Sequence, residues 1–130
     1  MKTRRLKEGW VFRRGDIYLA ELEPRIGFVQ SGTRPVVLLQ NNCGNFFAPT
    51  LIVAPLTKHI EKKRNLPVHY RLDNKDILYP SMVMLEQITT IDKRQVKAYV
   101  GKVSRADMDE IAECIEKSLG IYIPEEMEAP

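Results

Sequence analysis

Two residues at the ends of apolar segments have the chemistry to hold a phosphate group. Arg34 directly precedes Pro35, and proline restricts the residue before it to extended backbone geometry. A guanidinium held at the mouth of a buried strand offers two donors in a planar fork, which matches a phosphate. Thr57 ends a second apolar segment, so its hydroxyl would face the same anion if the two segments pair. The alternatives are a surface salt bridge for Arg34 and a turn-capping hydroxyl for Thr57.

Residue types that bind metals or act as nucleophiles are present, but their spacing does not suit those roles. His59 and His69 are not paired at helical spacing, and Cys43 and Cys114 belong to no CxxC pair. The sequence has no glycine-rich loop ending in GK[ST] and no GxSxG nucleophile elbow. We therefore expect neither a metal site nor a cofactor.

The composition is that of a single globular domain. The chain has 130 residues, of which 44% are hydrophobic and 28% are charged, an ordinary globular balance that argues against a disordered chain. No apolar run approaches the ~20 residues that a membrane span needs, and no apolar stretch follows the basic N-terminus as in a secretory signal. With two unpaired cysteines, we expect a protein of the reducing cytoplasm.

Charge is distributed unevenly along the chain. Residues 1–14 contain six basic residues and one acidic residue, a net charge of +5, whereas residues 101–130 contain three basic and eight acidic residues, a net charge of −5. Basic side chains displace counterions from nucleic acids. The basic N-terminal half of the chain therefore predicts a surface that binds polyanions. The alternative is a solvated surface of mixed charge.

Short strands are predicted around Arg34 and Thr57. Strand-forming or apolar runs occupy residues 16–22, 36–39, 51–56, 66–72, 81–87 and 96–101. Pro55 interrupts the third run, which indicates an edge strand or a bulge. Residues 23–33 and 40–50 are predicted to be loops or turns because glycine, proline and asparagine concentrate there.

One helix is predicted after the strands. From Met108 onward, apolar residues recur at spacings of three, four and four within residues 104–119, which places them on one helical face. Ser104 can cap the start of this helix and Gly120 can end it. Short strands followed by one helix favour a small, strongly bent sheet or barrel with the helix packed against it.

Five motifs occur in order along the chain: RRGDIYLAEL at 13–22, GFVQSGTRPVVLLQN at 27–41, APTLIVAPLT at 48–57, LEQITTIDK at 85–93 and GKVS at 101–104. In this order they resemble the MazF/PemK family of bacterial toxins. The resemblance implies an α+β, mainly β fold, a small SH3-like β-barrel with a C-terminal helix, and a homodimer. It divides the chain into a basic N-terminal extension (1–12), a barrel domain (13–121) and an acidic C-terminal tail (122–130).

The resemblance implies a sequence-specific endoribonuclease toxin that cuts single-stranded mRNA without a metal. In the family, the 2′-hydroxyl attacks the adjacent phosphate and leaves a 2′,3′-cyclic phosphate and a 5′-hydroxyl. The family's catalytic arginine falls on Arg34 and its catalytic threonine on Thr57. The alternative is a toxin of the same fold that binds a protein target such as DNA gyrase. The presence of both residues favours the nuclease.

Five further residues are predicted to contact the RNA by the same resemblance. Gln30 and Ser31 lie in the loop expected to cover the RNA, and Phe28 of that loop could stack on a base or anchor the loop in the core. Ser81 and Gln87 match positions that flank the groove, where they could read base edges. For Gln87 the alternative is an interior hydrogen bond.

At two positions the sequence departs from the pattern of the MazF/PemK family. Val29 stands where many family members have glutamate, and Thr89 stands where close relatives often have arginine, so RNA sequence preference is affected more than chemistry. For the extension we expect a disordered arm, the alternative being phosphate contacts. For the RNA-binding groove that the resemblance implies, we expect an antitoxin whose acidic, flexible C-terminal segment competes with RNA.

Overall fold

A computed structural model describes residues 1–24, 26–27, 29–59 and 68–125. Its strands are β1 (Asp16–Leu22), β2 (Gly32–Leu38), β3 (Thr50–Thr57), β4 (His69–Leu72), β5 (Ser81–Met84), β6 (Thr89–Asp92) and β7 (Val96–Lys102). Its α-helices are α1 (Asn42–Phe47) and α2 (Arg105–Ser118), and short 3₁₀ helices occupy Leu85–Gln87 and Lys93–Gln95.

The strands form one antiparallel sheet in the order β4-β5-β3-β2-β1-β7, and β6 pairs with β3. The predicted mainly β fold with a C-terminal helix is confirmed. No pairing of β4 with β7 among the described residues closes the sheet into a full barrel.

Strand β3 lies at the centre of the sheet and not at an edge. One side of β3 pairs with β2, and the other side pairs first with β6 through Thr50–Val53 and then with β5 through Leu56 and Thr57. Pro55 lies in the gap between these last two partners. Proline has no backbone N–H, and at this position no hydrogen bond to β5 or β6 is lost, so the strand accommodates it. The prediction that Pro55 marks an edge strand is therefore wrong.

The core has two parts, one on each face of the sheet. Because side chains alternate along a strand, adjacent residues of β1 enter different parts. Ile17 packs in the same cluster as Met108 and Ile111 of α2. Tyr18 packs in the other cluster, against which Trp10 of the extension also packs. Both faces of the sheet are therefore covered by core side chains, and a solvent-accessible site is expected at the strand ends.

The N-terminal extension is docked on the second core, so the expectation of a disordered arm is wrong. Leu6, Trp10 and Phe12 pack against that cluster. The Arg4 N–H donates to the Tyr99 carbonyl at 2.7 Å, and the Tyr99 N–H donates to the Arg4 carbonyl at 2.8 Å. Partial burial of these three apolar side chains offsets the entropy cost of ordering the segment.

Asp16 of the RGD motif ties the extension to β1. Its Oδ2 accepts a hydrogen bond from the Tyr18 hydroxyl at 2.5 Å and from the Arg13 N–H at 2.9 Å. The same Tyr18 hydroxyl accepts from Trp10 Nε1 at 2.8 Å. Burial and the hydrogen bond to Asp16 raise the pKa of Tyr18 far above its ordinary value, so the phenol stays protonated and keeps this chain of bonds.

Several predicted element boundaries change in the structure. Strand β2 begins at Gly32, four residues before the predicted start, and the predicted strand 81–87 ends at Met84. Helix α1 and strand β6 occupy segments for which no helix or strand was predicted. Helix α2 is confirmed, with the Ser104 hydroxyl accepting from the Asp107 N–H at 3.1 Å.

Neither α-helix within the described ranges has the length and apolar character to cross a membrane. Residues 66–67 of the predicted fourth strand and residues 126–130 of the predicted acidic tail lie outside the described residues.

Candidate active site

A cleft of about 390 Å³ lies where β2, β3 and β5 meet, and we call it the active-site cleft. It brings together three of the predicted site residues, Arg34, Thr57 and Ser81. Arg34 lies in β2, Thr57 is the last residue of β3, and Ser81 is the first residue of β5. The expected pairing of the two apolar strands is observed, through Val36–Leu38 and Val53–Pro55.

Arg34 is half-buried and held by its own loop. Its Nε donates to the Ser31 carbonyl at 2.7 Å, which leaves the two Nη groups as donors for an anion. No acidic side chain of the described residues forms an ion pair with Arg34. Within the part of the chain that the structure describes, the guanidinium is therefore not used for the surface salt bridge that was the alternative.

Thr57 is only 3% exposed although it lines the cleft. Its Oγ1 accepts a hydrogen bond from the His59 N–H at 3.3 Å, which is the turn-capping contact that was the alternative. That contact uses an acceptor lone pair and leaves the hydroxyl proton available to donate. Capping and anion binding are thus compatible at this residue, and the cap fixes the hydroxyl position.

Ser81 is also buried, and its Oγ donates to the Tyr79 carbonyl at 3.0 Å. Its hydroxyl is left with acceptor capacity only, so it suits an N–H of a base better than a phosphate oxygen.

Gln30 and Gln87 bind each other and do not line the active-site cleft. The Gln30 N–H donates to Gln87 Oε1 at 2.8 Å, so the interior hydrogen bond that was the alternative for Gln87 is present. The side-chain oxygen of Gln30 is buried and has no hydrogen-bond partner within the described residues. Ser31 reaches the cleft only through its carbonyl contact with Arg34. These contacts hold Gln30 and Ser31, the last two residues before β2, beside the cleft.

Phe28, the predicted stacking residue, lies outside the described residues, and so do residues 60–67 of the basic segment after β3. Glu86, next to Gln87, contacts the buried His69 through its Oε2 and the ring Nε2.

Three residues that the sequence reasoning missed also line the active-site cleft: Lys58, His59 and Tyr79. The Lys58 ammonium lies 5.7 Å from the centre of the Tyr79 ring, in cation–π contact. Lys58 and His59 follow Thr57 directly, so their position after a site strand was a usable signal. Tyr79 comes from the β4–β5 segment, and nothing in the sequence indicates its proximity to Thr57.

Within the described ranges, no group of three or more His, Cys, Asp or Glu side chains is arranged to hold a metal ion. The described side chains that line the active-site cleft include a guanidinium, an ammonium, an imidazole and the hydroxyls of Thr33, Thr57, Tyr79 and Ser81. Such a set binds an anion and can transfer a proton.

The family model described as a PemK-like, MazF-like toxin of a type II toxin–antitoxin system matches residues 13–119. The chain belongs to this family. It is 41% identical over 113 residues to Endoribonuclease MazF of Staphylococcus epidermidis, covering 85% of this chain and 93% of that protein. It is 40% identical over 113 residues to Endoribonuclease EndoA of Bacillus subtilis (strain 168), covering 85% and 97%.

Solved MazF structures share this fold. The crystal structure of MazF (Form-I) from Deinococcus radiodurans superposes with a TM-score of 0.73 at 19% identity, covering 85% of this chain and 98% of that chain. An endoribonuclease in complex with its cognate antitoxin, from Mycobacterial species, gives a TM-score of 0.65 at 23% identity, covering 88% and 98%. The predicted MazF/PemK family and its fold are confirmed.

Proposed function

We propose that the protein, a MazF-type endoribonuclease toxin, cuts single-stranded mRNA at short specific sequences in a reaction that needs no metal. The observation that carries this proposal is the position of Arg34 and Thr57 in one cleft, at neighbouring ends of two paired strands. Two further features support an RNA strand as the substrate. The N-terminal half of the chain is basic, and the cationic Lys58 lies in the same cleft.

The proposed reaction is an internal transfer at one phosphate. The 2′-hydroxyl oxygen bonds to the neighbouring phosphorus, and the bond from phosphorus to the 5′-oxygen of the next nucleotide breaks. The products are a 2′,3′-cyclic phosphate and a 5′-hydroxyl. One proton leaves the 2′-oxygen and one is gained by the 5′-oxygen, so the site must neutralise charge on the phosphorane and move two protons.

Arg34 is proposed to bind the non-bridging oxygens of the phosphate through its Nη groups. Because Nε is already bonded to the Ser31 carbonyl, the guanidinium is oriented before substrate arrives and little reorganisation is needed as charge develops. A guanidinium is a poor base, so Arg34 serves as the electrostatic group and as the acid for the 5′-oxygen.

Thr57 is proposed to donate its hydroxyl proton to a second non-bridging oxygen. The hydrogen bond from the His59 N–H and the burial of Thr57 restrict the hydroxyl position, which aligns the phosphorus for attack by the 2′-oxygen.

His59 is proposed to accept the proton of the 2′-hydroxyl. Its side chain is exposed and lines the same cleft as Arg34 and Thr57. Imidazole is the side chain that most often serves as a general base near neutral pH.

The proposed assembly is a homodimer inhibited by an antitoxin whose acidic, flexible C-terminal segment occupies the cleft. A Mycobacterial endoribonuclease and the MazF of Deinococcus radiodurans have each been solved with an antitoxin, which supports such a partner. The test is competition for uncleavable RNA. The partner should displace the RNA, and a ternary complex with undiminished RNA affinity would contradict occlusion of the cleft.

The experiment that tests the proposed function is incubation of the protein with long single-stranded RNA in EDTA, followed by mapping of both new ends. We expect cuts at a short recurring sequence, with 5′-hydroxyl and 2′,3′-cyclic phosphate ends. Absence of cutting in both EDTA and Mg²⁺ would instead favour a toxin that acts by binding a protein target.

A further inference from the structure

A second, larger cleft of about 710 Å³ adjoins the active-site cleft, and we call it the basic cleft. Its walls come from the N-terminal extension, the β4–β5 segment and β7. Met1, Ile77 and Leu78 line both clefts. The two clefts are therefore neighbours across a shared rim, and a strand that leaves one can enter the other.

The basic cleft is lined by four cationic side chains and one carboxylate: Lys2, Arg4, Lys75, Lys102 and Asp76. Among the described residues, no acidic side chain forms an ion pair with Lys2, Arg4 or Lys75. The excess of positive charge is thus available to an anionic ligand.

Main-chain and side-chain contacts fix the walls of this cleft. The Arg4 backbone pairs with Tyr99 of β7, and the Arg4 guanidinium lies 4.8 Å from the centre of the Tyr99 ring. Opposite, Asn74 Nδ2 donates to the Lys102 carbonyl at 2.9 Å, which ties the segment carrying Lys75 to β7. The cationic groups are therefore held around one cavity.

The exposed large apolar side chains of the basic cleft are Met1 and Leu78, and both belong to the rim shared with the active-site cleft. Leu78 is 63% exposed. Beyond this rim, four of the eight lining residues are cationic and one is acidic, which matches a row of phosphates better than a peptide that needs apolar anchors.

We propose that the basic cleft binds the backbone of the substrate RNA on one side of the scissile phosphate. The proposal rests on the proposed function, because it needs RNA in the active-site cleft. Lys2 and Arg4 lie before residue 13, where the family match begins. The extension thus adds a binding segment to the family's catalytic domain, and RNA that reaches beyond the rim gains affinity.

The test compares two double variants that each remove two positive charges. Lys2→Ala with Lys75→Ala changes the basic cleft. Arg5→Ala with Lys7→Ala is the matched control, since both residues are exposed and neither lines either cleft. The ligands are a short uncleavable RNA that spans only the cleavage sequence, and a longer RNA extended on both sides. Each carries a 2′-deoxynucleotide at the mapped cleavage position.

We expect the wild type and the control to bind the longer RNA about tenfold more tightly than the short RNA at low salt, and the cleft variant to lack this gain. For the longer RNA, the slope of log affinity against log salt should become shallower by about 1.4 in the cleft variant, because each phosphate that a cation neutralises on a single strand adds about 0.7 to the slope. Binding of the short RNA should stay unchanged.

Equal behaviour of the cleft variant and the control at both lengths would overturn the proposal. Weaker binding of the antitoxin with unchanged RNA binding would also overturn it, since the basic cleft would then serve the protein partner. Failure of the wild type to cut any RNA would reject the proposed function itself, which keeps the two failures distinguishable.

Discussion

The two adjoining clefts differ in how their polar groups are held. In the active-site cleft, Arg34 and Thr57 lie on paired strands, are half-buried or buried, and each have one hydrogen bond that orients them. In the basic cleft, Lys2 and Lys75 are exposed and have no ion pair within the described residues.

This difference separates two requirements of an RNA-cutting protein. Chemistry needs groups fixed to a fraction of an ångström around the phosphorus. Retention of the strand needs only positive charge along its backbone. Substitutions in the active-site cleft should therefore lower kcat, whereas substitutions in the basic cleft should lower affinity in a salt-dependent way.

The largest effect is expected for Arg34→Ala. Loss of the guanidinium should lower kcat by about 10³-fold, because no other group takes its place on the developing charge. Among the described residues the substitution removes one hydrogen bond from the free protein, so the free energy of unfolding should change by about 1 kcal/mol or less. Single-turnover cleavage and urea unfolding of the same preparation check both statements.

Arg34→Lys is the matched control for charge. It keeps one positive charge but loses the planar fork, so its kcat should fall between those of the wild type and Arg34→Ala. Cleavage by Arg34→Ala near the wild-type rate would contradict the catalytic role of this residue.

A smaller loss is expected for Thr57→Val, which has nearly the same shape as threonine but no hydroxyl. We expect kcat to fall by about 10²-fold, whereas Thr57→Ser should stay within about tenfold of the wild type because it keeps the hydroxyl. Thermal unfolding is the control. If the rate loss were matched by a comparable loss of stability, the hydroxyl would act only as the cap of the turn.

His59→Gln tests the general base. The backbone N–H that donates to Thr57 is kept in this substitution, so the variant removes the imidazole alone. We expect kcat at neutral pH to fall by about 10²-fold, because no side chain then accepts the proton of the 2′-hydroxyl. Cleavage at the wild-type rate would assign the base to another group.

The smallest effect is expected at Asp92, which lines neither cleft. Hydrogen bonds from the Arg94 guanidinium and backbone lower the pKa of the Asp92 carboxyl from 3.8 to about 2. A lowered folded-state pKa stabilises the protein above the ordinary pKa, and this stabilisation is lost as pH falls from about 4 to 2.

Asp92→Asn keeps the capping oxygen but not the charge. The wild type should therefore be slightly more stable than this variant above about pH 4, with the two converging near pH 2. RNA cleavage should be the same in both. Urea unfolding at several pH values checks this, and a gap that widens on acidification would contradict the sign.

Strong local signals explain what the sequence predicted well. Helix α2 was recognisable from its apolar period and its Ser104 cap, because both signals lie between residues that are neighbours in the sequence. The proximity of Arg34 and Thr57 was predictable because each ends or begins an apolar run, so pairing of the strands brings the two residues into one cleft.

The missed elements lack such signals. Helix α1 has two exposed phenylalanines, Phe46 and Phe47, and no apolar face, so it depends on the cap from Asn41 and on the buried Asn45. Strand β6 buries only Ile91 among its four residues and exists through its pairing with β3. Neither pattern has a period long enough to be recognised.

Contacts between distant segments were also beyond prediction. The apolar residues of the extension, Leu6, Trp10 and Phe12, follow no period, and their burial depends on a surface formed by Tyr18 and Tyr99. In the same way, the bond between Gln30 and Gln87 and the approach of Tyr79 to the active-site cleft are set by the tertiary fold.

The most direct measurement is cleavage of one RNA that carries a single 2′-deoxynucleotide immediately 5′ of the mapped scissile phosphate. The inactive variant Arg34→Ala should bind this RNA and its all-ribose counterpart with the same Kd, if the 2′-hydroxyl is the nucleophile in the cleft of Arg34 and Thr57. The RNA with the 2′-deoxynucleotide should not be cut at that site by the wild type. Cleavage at that position at the normal rate would contradict attack by the 2′-hydroxyl, and with it the proposed roles of both residues.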